Sequence, residues 1–240
     1  MSNPRPPKSP KSKAARPVQS EAKPAAKPGR TRGRRPTADI ADLRARLLDA
    51  ALACFARQGI SATSLRDIAA EAEVTPALVH YYFGDKVQLQ QAVVAEKLLP
   101  VIAQLREPLL QAGDDVAALV AGFVHGVGGI VARYPWLPAL WVREVLCEGG
   151  ALRDVLLHQV GPLVPKMMAA RFAEAQQHGK LNPDLDPRLL MVSLVGLTFF
   201  PLASAPIWRA LFGAQDVDFD ALRQHTLVLL DRGLELEHAQ

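Results

Sequence analysis

The chain lacks most of the patterns by which enzymes and metal proteins are recognised. Only two of its 240 residues are cysteines, Cys54 and Cys147, and the sequence has neither a CxxC pair nor a Cys/His cluster. We therefore expect no zinc site and no disulfide framework, and this cysteine usage fits a reducing cytoplasm. Glycine-rich phosphate loops, a G-x-S-x-G turn and an HExxH motif are also missing. The sequence thus predicts a protein that is not an enzyme and that has no catalytic residue, metal or cofactor.

Long apolar runs and alternating strand patterns are scarce as well. No run of 18 apolar residues indicates a membrane span, and the N-terminus lacks the apolar core of a secretory signal. Hydrophobic residues make up 49% of the chain and recur with helical spacing. The expected fold is all-α with about nine helices, in a cytoplasmic protein without a membrane partner. One long helix is expected over residues 152–178, bent near Pro162 and Pro165.

Acidic side chains are nearly absent from residues 1–36. This segment has eleven Lys and Arg, eight prolines and one acid, Glu21, whereas the other residues hold 17 basic and 23 acidic side chains. Because it has little apolar surface to bury, we expect a disordered arm. Its role could be that of a solubilising extension, of an arm that follows DNA phosphates or enters a minor groove, or of a targeting segment.

Residues 63–86 predict two short helices joined by a tight turn. Ser64 can cap the first helix, and Asp67 three residues later comes close to a capping box. The second helix follows Thr75 as N-cap, with Pro76 at its first position. Its outward face has no acid and consists of Pro76, Ala77, Leu78, His80 and Tyr81. Such a face suits a helix that lies in the major groove of DNA.

The same segment resembles the DNA-binding signature of the TetR/AcrR family of transcriptional regulators. The matching residues are Ala72, Val74, Thr75, Tyr82, Phe83 and Lys86. Two positions depart from the pattern, since Glu73 stands where the family often has glycine and His80 where it has tyrosine. The resemblance covers residues 39–93 and implies a bacterial, nucleoid-associated protein that binds double-stranded DNA with a helix-turn-helix.

From this resemblance we expect three regions: a basic arm at 1–36, a helix-turn-helix domain at 37–84, and a helical effector-binding and dimerisation domain at 85–240. The expected DNA contacts are Ser64, Arg66, Thr75, Pro76, Ala77, Leu78, His80, Tyr81 and Lys86.

The larger domain offers candidates for two further surfaces. Its last two helices are too widely apolar to be buried on one side only, which predicts a homodimer interface unless they merely complete the core of one protomer. The interface candidates are Leu190, Leu194, Leu197, Leu227 and Leu230. The candidates for an effector pocket are His125, Trp136, Trp141, Glu144, Met167, Met168 and Phe199. Core packing is the alternative for the aromatic and Met side chains, and a solvated or salt-bridged role is the alternative for Glu144.

Two functions fit these features. The favoured one is a dimeric, sequence-specific repressor that a small-molecule effector releases from a pseudo-palindromic operator, in control of a transporter, efflux or catabolic operon. The alternative is an architectural, weakly sequence-specific DNA-binding protein with a basic arm and no functional pocket. Release from a specific operator would select the first, and sequence-blind binding with a steep salt dependence the second.

Overall fold

The computed structural model describes residues 37–234, with side chains within residues 42–231. The arm predicted at residues 1–36 lies outside the described residues. All regular elements in the described part are helical, which confirms the expected fold class. The first four helices are α1 (Thr37–Gln58), α2 (Leu65–Glu71), α3 (Pro76–Phe83) and α4 (Lys86–Val93).

Local hydrogen bonds and one strained residue set the ends of α2. The Ser64 hydroxyl accepts a hydrogen bond from the Asp67 N–H at 3.2 Å, and the Asp67 carboxylate accepts one from the Ser64 N–H at 2.8 Å. The predicted capping box is therefore present. In the turn between α2 and α3, Glu73 has a left-handed φ of +55°. An L-residue pays roughly 1–2 kcal/mol for this conformation, which glycine adopts freely.

The helix that starts at Lys86 continues past Val93 through a π-helical turn, Val94–Leu98, into α5 (Leu99–Ala103). In this turn the Leu99 N–H bonds to the Val94 carbonyl, five residues back. Pro100 gives the reason, because it has no N–H to donate and its ring crowds the preceding turn. The effect of Pro100 is thus a widened turn in a continuing helix.

The other helices are α6 (Arg106–Gln111), α7 (Val116–Arg133), α8 (Leu137–Trp141), α9 (Arg153–Val155), α10 (Pro165–Gln177), α11 (Pro187–Ala203), α12 (Ala205–Phe212) and α13 (Phe219–Leu234). Further π-helical turns follow α8 and α9, at Val142–Leu146 and Leu156–Val160. The prediction of one bent helix over residues 152–178 is wrong: the chain breaks there, since neither Pro162 nor Pro165 can donate a backbone hydrogen bond. Such breaks give more helical segments than the sequence predicts.

The apolar helix α7 lies at the centre of the larger group of helices. Helix α7 is long and apolar enough to cross a membrane. Helices α11 and α12, which meet at a 68° bend, are long and apolar enough only if the two form one span together. Helix α7 is not an uninterrupted apolar run, because His125 lies within it. Eight of its residues are buried in the core. Its glycines allow close packing, since a Cβ at Gly126 would lie 2.8 Å from Leu105 Cδ2.

The buried side chains form two clusters. One belongs to the later helices and is centred on α7, α10 and α11. The other lies among α1–α4 and also includes Leu140, Val145 and Leu152 from the region of α8 and α9. The two clusters lie in one compact unit that contains residues 37–234. The core of the first four helices includes residues beyond position 84. The domain boundary at residue 84 stays a prediction.

Candidate nucleic-acid interface

The short helices α2 and α3 are buried on one side and exposed on the other. Ile68 and Ala69 of α2, and Val79 and Phe83 of α3, are buried. The nine predicted DNA contacts lie at the accessible side, and we call them the reading surface: Ser64, Arg66, Thr75, Pro76, Ala77, His80 and Tyr81 are exposed, and Leu78 and Lys86 are half-buried. The helical spacing therefore separates core from surface here as the sequence predicts.

Arg66 is the free cation of the reading surface. Its guanidinium has no hydrogen-bond or ion-pair partner among the described residues, whereas Arg57 on α1 bonds to Glu71 at 2.9 Å. A guanidinium offers five N–H donors in a planar fork that matches the O6 and N7 acceptors of guanine and the oxygens of phosphate. Arg66 can thus bind DNA without first breaking an internal contact.

The exposed side of α3 presents an aromatic ring and short polar or apolar groups. Tyr81 is 81% exposed, and its ring lies edge-on to Tyr82 with centroids 5.5 Å apart. Thr75 occupies the N-cap position, but its side chain makes no capping hydrogen bond. The His80 Nδ1 is bonded to the Gly84 carbonyl, so the ring is held at the end of its own helix. Only the remaining edge of this ring is available for a phosphate or a base.

Lys86 links the reading surface to α4. Its Nζ donates a hydrogen bond to the Ser61 carbonyl at 2.9 Å, which fixes the α1–α2 loop next to the start of α4. The Asp85 carboxylate caps this helix by accepting from the Gln88 N–H at 2.8 Å. The ammonium still has two N–H donors, and it lies at the helix end that favours anions.

Two acids near the reading surface, Asp67 and Glu71, have partners of their own. Hydrogen bonds from the Ser64 N–H and hydroxyl lower the pKa of Asp67, so it remains a carboxylate engaged in its cap. Glu71 is paired with Arg57. These carboxylates therefore oppose a DNA backbone less than unpaired acids would.

The structure does not bring the seven predicted pocket residues together in either of the two cavities described below, and the effector pocket stays a prediction. Met168 is fully buried in the core, with Trp136, Met167 and Phe199 packed against that core. The Trp141 ring packs on the Phe199 ring at 5.3 Å. His125 is exposed and its Nδ1 is bonded to the Ala121 carbonyl of its own helix at 2.7 Å. Glu144 is buried against the α1–α2 loop. Most of these side chains therefore serve packing, the alternative that the sequence leaves open.

Two open cavities lie elsewhere on the larger group of helices. One, of about 450 Å³, is formed by the α6–α7 connection, the start of α7 and the end of α10. The other, of about 580 Å³, lies between α10 and the start of α11. None of the seven predicted pocket residues lines either cavity.

The predicted dimer leucines are buried or half-buried in a single protomer, and their place in an interface stays a prediction. Leu190, Leu194 and Leu230 are buried within their own protomer, and Leu197 and Leu227 are half-buried. Five other large apolar side chains of α11 and α13 are exposed, and we call them the outer face: Leu189, Val192, Phe200, Val228 and Leu229. On α12, Ile207, Leu211 and Phe212 are more than 70% exposed as well. The sequence missed the outer face because α11 is apolar around most of its circumference, so spacing alone does not tell which stripe is buried.

Comparison with known proteins agrees with this geometry. The family model described as "Bacterial regulatory proteins, tetR family" matches residues 47–93. The chain is 26% identical over 164 residues to the HTH-type transcriptional regulator UidR of Escherichia coli strain K12, over 67% of this chain and 80% of that protein. It is 27% identical over 181 residues to the HTH-type transcriptional repressor SCO4008 of Streptomyces coelicolor, over 75% of this chain and 88% of that protein. The solved structure of the regulator FadR from Bacillus subtilis in complex with stearoyl-CoA matches with a TM-score of 0.60 at 20% identity, over 78% of this chain and 96% of that chain.

Proposed function

We propose that this chain, which belongs to the TetR family of DNA-binding transcriptional regulators, is a homodimeric repressor that a small molecule releases from its operator. The observation that carries the proposal is the reading surface, where the unpaired Arg66 lies on the capped helix α2 and the exposed Tyr81 on α3, and both helices are buried on their other side. Arg66, Tyr81 and the first turn of α3 would contact bases, and Lys86 would hold a phosphate.

The outer face supports the dimeric state. One reading surface makes too few base contacts for a specific site, because a good bidentate pair discriminates by only about 1–3 kcal/mol. The exposed Leu189, Val192 and Phe200 of α11, with Val228 and Leu229 of α13, form an apolar surface that one protomer leaves open to water. A second copy that covers this surface would place two reading surfaces on a pseudo-palindromic site.

Two observations support release by an effector: the cavities on the larger group of helices and the ligand bound to a structural neighbour. FadR of Bacillus subtilis was solved in complex with stearoyl-CoA, and the cavities on this chain have the volume of a small-molecule site. An effector that binds better to one spacing of the two reading surfaces, while DNA binds better to the other, would lower operator affinity. Control of a transporter, efflux or catabolic operon on the bacterial nucleoid fits such a regulator.

The test is a selection of duplexes by the full-length protein from random-sequence DNA. We expect a pseudo-palindrome bound by a dimer, with affinity that Arg66→Ala reduces and that one member of a small-molecule panel abolishes. Binding that ignores sequence, with a steep salt dependence that disappears when residues 1–36 are deleted, would instead favour the architectural protein. An unchanged affinity and salt dependence after that deletion would leave the arm as a solubilising extension.

A further inference from the structure

The α1–α2 loop is fastened to the π-helical turn after α8 by two consecutive side chains. The Ile60 N–H donates to Glu144 Oε1 at 2.8 Å, and the Ala151 N–H donates to the other carboxylate oxygen at 3.1 Å. Arg143 Nη1 donates to the Ala56 carbonyl near the end of α1 at 3.1 Å. The contacts of Glu144 with Ile60 and of Arg143 with Ala56 join segments more than 80 residues apart in the chain.

The Glu144 carboxylate is buried, which destabilises the folded protein unless both oxygens accept hydrogen bonds. Its side chain is only 4% exposed, and its partners are two backbone N–H groups. The Ile60 N–H lies just beyond the end of α1, where the helix itself supplies no regular acceptor. A buried polar group without a partner is strongly unfavourable, so the carboxylate and the loop depend on each other.

The loop is shaped to admit these two side chains. Gly59 has a φ of +90°, and a Cβ there would lie 2.9 Å from Arg143 Cδ and 3.0 Å from Glu144 Oε1. Glycine is thus required both by the backbone conformation and by the close approach of Arg143 and Glu144.

Ala151, which donates to Glu144, also contacts α4, the helix that follows α3. The Ala151 carbonyl accepts a hydrogen bond from Gln90 Nε2 at 3.3 Å. The direct polar contacts between α1 and the helix that continues from α4 are exposed ion pairs, such as Lys97 with Asp49 at 2.6 Å. Exposed pairs of this kind contribute little to stability. The buried Glu144 is therefore the stronger polar restraint on the orientation of α1.

We propose that Glu144 and Arg143 are positioning residues that fix the orientation of α1–α3 on the later helices and thereby set the spacing of the two reading surfaces in the dimer. This proposal rests on the proposed function as a dimeric DNA-binding protein. α4 connects α3 covalently to the larger group of helices, and the core that α1–α4 share with Leu140, Val145 and Leu152 holds them by apolar contacts that have no direction. The contact of Glu144 with Ile60 adds a buried, directional attachment that fixes the rotation of α1.

The test compares two duplexes chosen from the selected sequences, one with the full pseudo-palindrome and a short one with a single half-site. Glu144→Gln keeps the size of the side chain but has one acceptor oxygen, so one of the two N–H groups loses its partner. We expect affinity for the full site to fall roughly tenfold, because the second reading surface is no longer held at the right distance. Affinity for the half-site and the dimeric state should not change.

Glu148→Gln is the matched control, since Glu148 is exposed and makes no hydrogen bond within the described residues. It should leave both affinities unchanged. Arg143→Ala removes the second contact without leaving a buried group unpaired, and it should act in the same direction with a smaller effect. Arg143→Ala thus gives a result even if Glu144→Gln does not fold.

Amide hydrogen exchange supplies a readout that does not need DNA. In Glu144→Gln the Ile60 and Ala151 amides should exchange faster, while the Val74 amide, bonded to the Ala69 carbonyl at 2.8 Å, should not. Equal losses of affinity on the two duplexes would overturn the proposal, because they would mean that Glu144 stabilises the reading helices themselves. Unchanged affinities and unchanged exchange would overturn it too. A wild-type protein that selects no duplex would contradict the proposed function, and the exchange measurement would still decide whether Glu144 holds α1 in place.

Discussion

The α2–α3 region and the C-terminal helix α11 differ in how much their sequences say about which side is buried. Each of the two short helices has a distinct apolar stripe, such as Ile68 and Ala69 on α2, and a side without large aliphatic residues exposed. Helix α11 has large apolar residues on both sides, with Leu194 fully buried and Val192 66% exposed. Helical periodicity assigns a buried face only where polar and apolar residues contrast around the helix.

The largest expected effects separate the two sides of α11. Leu194→Glu places a charge without a partner in the protomer core, which should cost about 4 kcal/mol or more and unfold the chain. Val192→Glu places the same charge on the outer face and should give a folded monomer that no longer binds its operator. Thermal unfolding, light scattering and a DNA titration on both variants measure the difference.

Leu163→Glu is the control for this pair. Leu163 is 62% exposed, close to the value for Val192, but it lies between α9 and α10 rather than on the outer face. Folding, dimerisation and DNA binding should not change. If Val192→Glu stays dimeric, or if Leu194→Glu gives a folded monomer, the assignment of the two sides of α11 is wrong.

The same contrast explains what the sequence could predict. Ser64 and Asp67 act through each other, three residues apart, so the start of α2 follows from local rules. The roles of Trp141 and Glu144 depend on partners far away in the chain: Phe199 for the ring, and Ile60, 84 residues away, for the carboxylate. A pattern within a short window does not record such contacts. The exposed side chains of α11 could be found only once the neighbouring helices were in place.

Arg66→Ala tests the reading surface, and we expect the next largest effect there. Loss of the unpaired guanidinium should weaken operator binding by roughly 1–3 kcal/mol, without a change in thermal stability. Arg57→Ala is the comparison, because Arg57 is occupied by Glu71 and should contribute little to binding. Equal effects of the two substitutions in the DNA titration would remove Arg66 from the contact surface.

Lys86→Ala should weaken binding to specific and to random duplexes by similar factors. The ammonium is held at the start of α4 by the Ser61 carbonyl, a place suited to a phosphate and not to a base edge. The slope of binding against salt concentration should fall by about one. Lys97→Ala, which removes an ammonium paired with Asp49, should leave the slope unchanged. A loss confined to the specific duplex would contradict a phosphate contact.

Glu73→Gly should stabilise the protein, a smaller effect and one of opposite sign. The φ of +55° at this turn is strained for an L-residue, and glycine removes that strain. Part of this gain is cancelled because glycine has more conformational freedom in the unfolded chain, so the free energy of unfolding should rise by about 0.5–1 kcal/mol. Ala70→Gly, three residues earlier on the exposed side of α2, should instead lower it by about 1 kcal/mol. Chemical denaturation of both variants gives the two signs, and a destabilised Glu73→Gly would show that the Glu73 side chain supports the turn.

Asp67→Asn should have the smallest effect, and that effect should depend on pH. The hydrogen bonds from the Ser64 N–H and hydroxyl lower the pKa of Asp67 in the folded state. Its stabilising contribution is therefore fully present above the ordinary carboxyl pKa of about 3.9, and it is lost as pH falls through the lower folded-state pKa. Near neutral pH the variant should melt below the wild type, because the neutral amide oxygen is a weaker acceptor than the charged carboxylate oxygen that accepts from both the Ser64 N–H and hydroxyl. In acid the two melting temperatures should converge.

Asp114→Asn is the control, since Asp114 is exposed and makes no hydrogen bond within the described residues, and it should melt like the wild type throughout. A difference between Asp67→Asn and wild type that persists undiminished in acid would mean that the carboxylate charge does not stabilise the α2 cap.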